Sequence, residues 1–152
     1  MIILSATVVA ADQMTKLVVR AYLLPHQGLT VIKGVLNLVY VRNPGGAFGF
    51  FSKEDPSATL PFFVLASIAT AVLIVYFYGR LASHSLWYRY ALSFILGGAA
   101  GNLMDRVRDG KVLDFIDLHL GNYHWPAFNV ADACITAGAI MFLLGFLRPI
   151  KQ

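Results

Sequence analysis

The chain has 152 residues, of which 58% are hydrophobic and 13% charged, and its mean hydropathy is +0.67. An ordinary soluble domain carries about a quarter charged residues, so this composition excludes one and indicates a membrane-embedded protein. The net charge of +4 and the pI near 9.4 do not indicate a nucleic-acid binder, because the twelve Lys and Arg are scattered without a basic stripe; attraction to anionic headgroups is the simpler account.

Crossing roughly 30 Å of hydrocarbon takes about 20 helical residues. The first qualifying stretch is Ile2 to Ala21. It is apolar and rich in small residues like a secretory leader, but it lacks a basic start and runs into Asp12 and Lys16, which reads as a retained span. Asp12 and Lys16, four apart, share one helical face, and helical rise places Asp12 about 13 Å from the end that leads into the first long connection.

That connection, residues 22 to 60, contains LTVI and LNLVYV on either side of Lys33-Gly34, which predicts a short β-hairpin. Tyr40, Phe48, Phe50 and Phe51 suit either a membrane-interface position or ordinary packing on helix ends. Pro61 to Gly79 follows without one charged residue and is the clearest span. RLASHS, residues 80 to 85, predicts a tight turn before a third span, Leu86 to Met104, and a fourth runs from Ala127 to Leu147. Gly97 to Gly101 is a small-residue stretch suited to close helix approach or to a smooth wall beside a substrate. The single cysteine, Cys134, excludes an internal disulfide and reads as a small core residue. The expected fold is all-α, four transmembrane helices in one domain over residues 1–152, with a small β-rich extracytoplasmic segment in the first long loop.

Five aspartates, Asp105, Asp109, Asp114, Asp117 and Asp132, lie in or beside strongly apolar sequence, where a carboxylate is expensive unless it is used. Four spans put both termini on one side and both long connections on the other, so Asp114, before the fourth span, and Asp132, in its first turns, share one membrane face. Lys and Arg occur on both sides, so charge counting does not orient the chain. Asn102-x-x-Asp105 and Asn129-x-x-Asp132 repeat one spacing, which lets each amide face its carboxylate, and Arg106 is placed to neutralise Asp105. Asp109-Gly110 is a turn. KVLDFID then embeds Asp114 among apolar residues, which implies that the chain folds back to present it; Asp117 reads as solvated or structural.

Two carboxylates brought together where the dielectric is low cannot both ionise. The charged member can take a proton from water while the protonated member donates to a carbonyl oxygen, which is the chemistry of peptide hydrolysis, and Asp114 and Asp132 are the candidates. HExxH and GxSxG are absent from the sequence. His119 and His124 are badly spaced for zinc ligation on a helix face, and all four histidines read as interface or loop residues.

DQMTK at 12 to 16, RNPGGAFGF at 42 to 50, GNLMDRVRDGKVLDFID at 101 to 117 and FNVADACITAG at 128 to 138, in that order, resemble the bacterial lipoprotein signal peptidases, the signal peptidase II family. The resemblance implies a membrane aspartic endopeptidase that acts on diacylglyceryl prolipoproteins, cuts just before the lipidated cysteine, and is blocked by globomycin. It implies a catalytic dyad on Asp114 and Asp132. Asp12, Lys16, Asn43, Gly98, Asn102, Asp105, Arg106 and Asn129 would be substrate-binding or site-shaping. It also implies a multi-pass inner-membrane location with the long loops facing away from the cytoplasm. The expected partners are prolipoproteins and membrane lipids, with no nucleic acid, metal or cofactor, and a monomeric chain. Two features depart from the family pattern. Gly46 stands where alanine is usual, and a short charged tail expected before the first span is not seen. A proton-coupled transporter or a scaffold subunit are the competing classes; the first predicts polar residues spread through the bilayer depth, and the second leaves the paired carboxylates unused.

Overall fold

Helix α1, Ile2–Tyr22, is inverted relative to a helix of a soluble protein. Its buried residues, Ser5, Val8, Asp12, Lys16 and Val19, recur every three or four positions and are mostly polar, while Ile2, Ile3, Met14, Leu17 and Val18 face outward. A computed structural model of the chain describes residues 1–45, 56–82 and 85–147. Gly46, Phe48, Phe50, Phe51, Lys53, His84, Arg148 and Lys151 lie outside the described residues, and with them most of the aromatic set expected at the membrane interface.

Helix α2, Pro56–Phe77, also turns its apolar side outward: Leu65, Ile68, Val72, Leu73 and Val75 are exposed and Ile74 is buried. The hydroxyls of Ser67 and Thr70 donate to the carbonyls of Phe63 and Ala66 one turn back, so these polar groups are satisfied within the helix. Its last residues pass into a π-helical turn, Tyr78–Ala82, where a tight turn is expected from the sequence. Helix α3, Leu86–Asp109, continues past the expected Met104 and stops at Gly110, whose φ of +68° lets its N–H cap the Arg106 carbonyl at 2.9 Å. Helix α4, Val130–Phe146, begins after the expected Ala127 because Asn129 caps it.

Among the described residues two stretches, Ile2–Tyr22 and Pro61–Arg80, are long and apolar enough to cross a membrane. Val130–Gly145 is apolar but shorter, and α3 carries Asn102, Asp105, Arg106, Arg108 and Asp109 in its C-terminal half. The four expected helices are present, and two of them meet the length and composition of a span.

The expected hairpin forms, but it is part of a larger sheet. Strands β1 (Gly28–Ile32), β2 (Leu36–Asn43), β3 (Val112–Leu120) and β4 (Tyr123–His124) lie antiparallel in that order, so each long connection supplies two strands. The stretch expected only to fold back toward the membrane is thus a strand. Leu113 and Phe115 pack with Val19 of α1, and Leu23, Leu38, Tyr40, Ile116 and Val130 close around them. Tyr40 is therefore a packing residue. Between the pairs Leu38↔Ile116 and Val41↔Asp114 β2 advances one residue more than β3, a bulge beside Asp114 of the kind that re-aims a side chain.

Helices α3 and α4 pack tightly at Gly98, where an added Cβ would run into the Ala131 carbonyl oxygen and lie 2.7 Å from Ile135 Cγ1. Gly98→Ala is expected to push the helices apart and destabilise the fold by about 1–3 kcal/mol, read as a lower thermal midpoint in detergent. Gly79→Ala, where an added Cβ meets nothing within 4 Å, is the control and should leave the midpoint unchanged.

Candidate active site

Lys16 of α1 is fully buried, and its ammonium lies 2.8 Å from both Asp12 Oδ2 and Asp105 Oδ2. A buried cation needs such partners, because desolvation otherwise costs several kcal/mol. Asp12 spends its other oxygen on the Ala131 N–H at 3.0 Å, and Asp105 Oδ2 also accepts from the Leu113 N–H at 3.3 Å. These contacts tie α1 to α3, to the start of α4 and to β3. Gln13, which the sequence reading passed over, donates to Asp12, Asp105 and the Gly101 carbonyl at 3.1–3.2 Å. Its place next to Asp12 in an apolar helix was the available clue.

Arg106 does not neutralise Asp105 as expected. Adjacent helical residues point in different directions, and the ion-pair partners of Asp105 among the described residues are Lys16 and, through Oδ1, Arg108 at 3.1 Å and Arg20 at 3.7 Å. The Arg106 guanidinium instead lies over the Phe63 ring, 4.4 Å from its centroid, and its buried Nε has no hydrogen-bond partner among the described residues. Arg20 and Arg108 hold Asp109 at the end of α3, at 2.7 and 3.2 Å.

From Lys16 a chain of hydrogen bonds leads to the two expected carboxylates. Lys16 Nζ donates to Asn102 Oδ1 at 3.3 Å, and Asn102 Nδ2 donates to Asp132 Oδ1 at 2.7 Å. The repeated Asn-x-x-Asp spacing therefore does two different things. Asn129 and Asp132 form a capping box at the start of α4, with Asn129 Oδ1 accepting from the Asp132 N–H at 2.9 Å and Asp132 Oδ2 accepting from the Asn129 N–H at 3.3 Å. Asn102, by contrast, turns from Asp105 toward the neighbouring helix.

Asn129 also reaches the other carboxylate. Its Nδ2 donates to Asp114 Oδ1 at 2.7 Å and to Asn102 Oδ1 at 3.3 Å, while Asn43 Nδ2 donates to Asp114 Oδ2 at 2.9 Å. The bridge between Ile116 and Phe128 sets this up: the Phe115 and Ile116 N–H groups both donate to the Phe128 carbonyl, at 3.0 and 2.8 Å, which delivers Asn129 to the strand carrying Asp114. Asp114 is 2% exposed, whereas Asp132 is half-buried. Burial raises the Asp114 carboxyl from 3.8 to about 6; the Asp132 charge adds to this, and the amides of Asn43 and Asn129 and the charge of Lys16 oppose it.

All ten site residues expected from the sequence are described, and Asp12, Lys16, Asn43, Asn102, Asp105, Asp114, Asn129 and Asp132 join in one connected polar network at the end of the helices that meets the sheet. Gly98 lies at the α3–α4 contact and Arg106 beside Phe63. Asp117 lies apart. Burial acts to raise its carboxyl, but hydrogen bonds from His124 and Asn37 outweigh that and hold it below the usual range.

Residues 4–148 match the protein family described as Signal peptidase (SPase) II. The lipoprotein signal peptidase of Desulforapulum autotrophicum is 44% identical over 141 residues, 93% of this chain and 87% of the relative. That of Syntrophotalea carbinolica is 45% identical over 149 residues, 97% of this chain and 91% of the relative. Among solved structures, a bacterial membrane enzyme determined by the in meso method at 1.9 Å resolution superposes with a TM-score of 0.84 at 34% identity, covering 97% of this chain and 92% of the other. A second such structure, at 2.3 Å, gives a TM-score of 0.86 at 34% identity and covers 96% and 86%.

Lys16→Met is expected to destabilise the protein by about 3–5 kcal/mol, because it strands two buried carboxylates. Adding Asp12→Asn and Asp105→Asn should recover much of the thermal midpoint; a single variant as stable as the parent would refute the pairing. The Asp114 shift carries its own sign. With a folded value of about 6 above 3.8, the folded state binds more protons between these values, so this group's contribution to stability is full below about pH 4 and is lost as pH rises through about 6. Denaturation followed from pH 4 to 7 should show that decline, and Asp114→Asn should flatten it.

Proposed function

The chain belongs to the signal peptidase II family, and from that membership and its geometry we propose an intramembrane aspartic endopeptidase that works through Asp114 and Asp132. Membership carries the coarse function, the cleavage of signal peptides from prolipoproteins by a membrane protease. The dyad is our reading of the site. It rests on one observation above the others: Asn129 binds Asp114 with its side chain and Asp132 with its backbone, so both carboxylates converge on a single residue.

Asp114, the more deeply buried carboxyl, holds the shared proton, and half-buried Asp132 is the base that meets water. Asp132 takes a proton from water as the oxygen attacks the scissile carbonyl carbon, while Asp114 gives its proton to the carbonyl oxygen. When the resulting diol collapses, the C–N bond breaks, Asp132 protonates the leaving nitrogen and Asp114 recovers its proton. Asn102 and Asn129 keep the carboxylates oriented. Arg106, whose Nε has no partner among the described residues, and Asn43 are substrate-binding, as are Asp12, Lys16, Asp105 and Gly98 through the shape they give the site.

We assign the substrate as a diacylglyceryl prolipoprotein cut just before its lipidated cysteine, and globomycin as a blocker of the same site. The protein is read as one domain over residues 1–152, monomeric and free of cofactors, crossing the bacterial inner membrane four times with the sheet and site on the extracytoplasmic side. Helices of 17 to 24 residues rise about 26 to 36 Å, which suits four crossings. The exposed edge strand β1 offers extended backbone for strand-like pairing with substrate.

The test is a gel-shift assay of the purified chain on a lipidated prolipoprotein. Asp114→Asn and Asp132→Asn, each inserted and folded, are expected to lose at least a thousandfold in kcat while the parent is inhibited by globomycin; processing by either variant at near-parental rate would exclude the dyad. The free-enzyme profile of kcat/KM should also decline on the alkaline side, with an apparent value of about 6 that belongs to the pair.

A further inference from the structure

Beyond the catalytic network, the sheet brings three metal-ligating side chains to one point. Asp117 and His119 are two apart on β3 and so face the same way, and the register places His124 of β4 directly opposite His119. One donor atom from each lies within 4.8 Å of the other two. Asp117 Oδ1 is 2.8 Å from His124 Nδ1, and the two imidazoles stack at 4.8 Å with their planes 10° apart. Asn37, across from Asp117 on β2, donates to Asp117 Oδ2 at 2.9 Å and lies 3.5 Å from His119 Nδ1. The carboxylate is thereby held with one oxygen turned toward the histidines.

We propose that Asp117, His119 and His124 bind one borderline divalent metal ion, with Zn²⁺ the best match. Two imidazoles and one carboxylate, with further positions open to water, are a zinc donor set, whereas Mg²⁺ and Ca²⁺ prefer oxygen ligands throughout. Around a tetrahedral ion with bonds of about 2.0–2.1 Å the donors would lie roughly 3.3 Å apart. His124, whose side chain is 52% exposed, can close that difference by turning about its own bonds, while Asp117, 13% exposed, stays fixed by Asn37. Asn37 then acts as the outer partner that metal-bound carboxylates commonly have. The sequence hides this site because His119 and His124 are unsuitably spaced on a helix, and only the strand register brings them face to face.

The hairpin carrying these residues lies between Asp114 and Asn129, so a bound ion would clamp the segment that joins the two sides of the network. Binding should stabilise the folded protein by mass action and should weaken as pH falls and protons compete for the imidazoles.

The experiment is calorimetric titration of the full-length, tag-free chain in detergent with ZnCl₂, with MgCl₂ as the control and the thermal midpoint as a second readout. One Zn²⁺ is expected to bind per chain and raise the midpoint, with no response to Mg²⁺. His119→Ala and His124→Ala should each weaken binding at least tenfold and abolish the shift, with unchanged midpoints in chelator. Absence of Zn²⁺ binding by the parent, or binding that survives both substitutions together, would overturn the assignment. Neither readout depends on peptidase activity, so the outcome is separate from that of the dyad.

Discussion

The organisation of this protein depends on the burial of Lys16 between Asp12 and Asp105. In an apolar surrounding each of these charges is tolerable only while the others are in place, so sliding α1 against α3 by even part of a turn would strand a charge. The same carboxylates reach the Ala131 and Leu113 backbone N–H groups. One ionic cluster thus sets the positions of α1, α3, the start of α4 and the start of β3. Generic hydrophobic contact between apolar helices in lipid specifies little, and the polar cluster supplies what is missing.

Beyond that cluster the network is built from asparagines, for a reason of donor and acceptor supply. A carboxylate only accepts, so two carboxylates cannot hold one another unless a proton lies between them. An amide both accepts and donates. Asn102 takes a hydrogen bond from Lys16 and gives one to Asp132, and Asn129 joins Asp132, Asp114 and Asn102. Orientation passes in this way from the Lys16 ammonium to the two carboxylates. Lys16 reaches Asp132 at one remove, through Asn102, and its charge also acts on Asp114.

The helices and the polar site were largely legible in the sequence because burying charge in an apolar chain is so costly that each polar residue marks a constraint. Asp12 and Lys16 on one face, and Asp114 and Asp132 near one end, follow from helical period and topology alone. What the sequence concealed depends on register. Nothing local shows that VLDFIDLHL is a strand, since its first residues are buried on both faces and show no clean alternation. The bulge in β2, the direction of Asn102 and the facing of His119 and His124 all follow from pairing with distant residues. Arg106 was misjudged for a related reason: adjacency in sequence suggested a partner that helical geometry points away from it.

The two carboxylates are held by different kinds of structure, and this bears on how the site works. Asp132 is fixed by a capping box, a local device that needs only the first turn of α4. Asp114 is fixed by sheet register and by a bulge, which depend on both long connections and on their packing against Val19. Asn129 belongs to both systems, as the cap of α4 and as the residue delivered to β3 by the pairing of Phe128 with Ile116. Asn129 therefore links the sheet-held Asp114 to the cap-held Asp132, while the Leu113 N–H on Asp105 ties the start of the same strand to the Lys16 cluster. Asn129 is thus the residue bonded to both carboxylates, through its side chain to Asp114 and through its backbone to Asp132, and in the proposed mechanism it sets their relative placement.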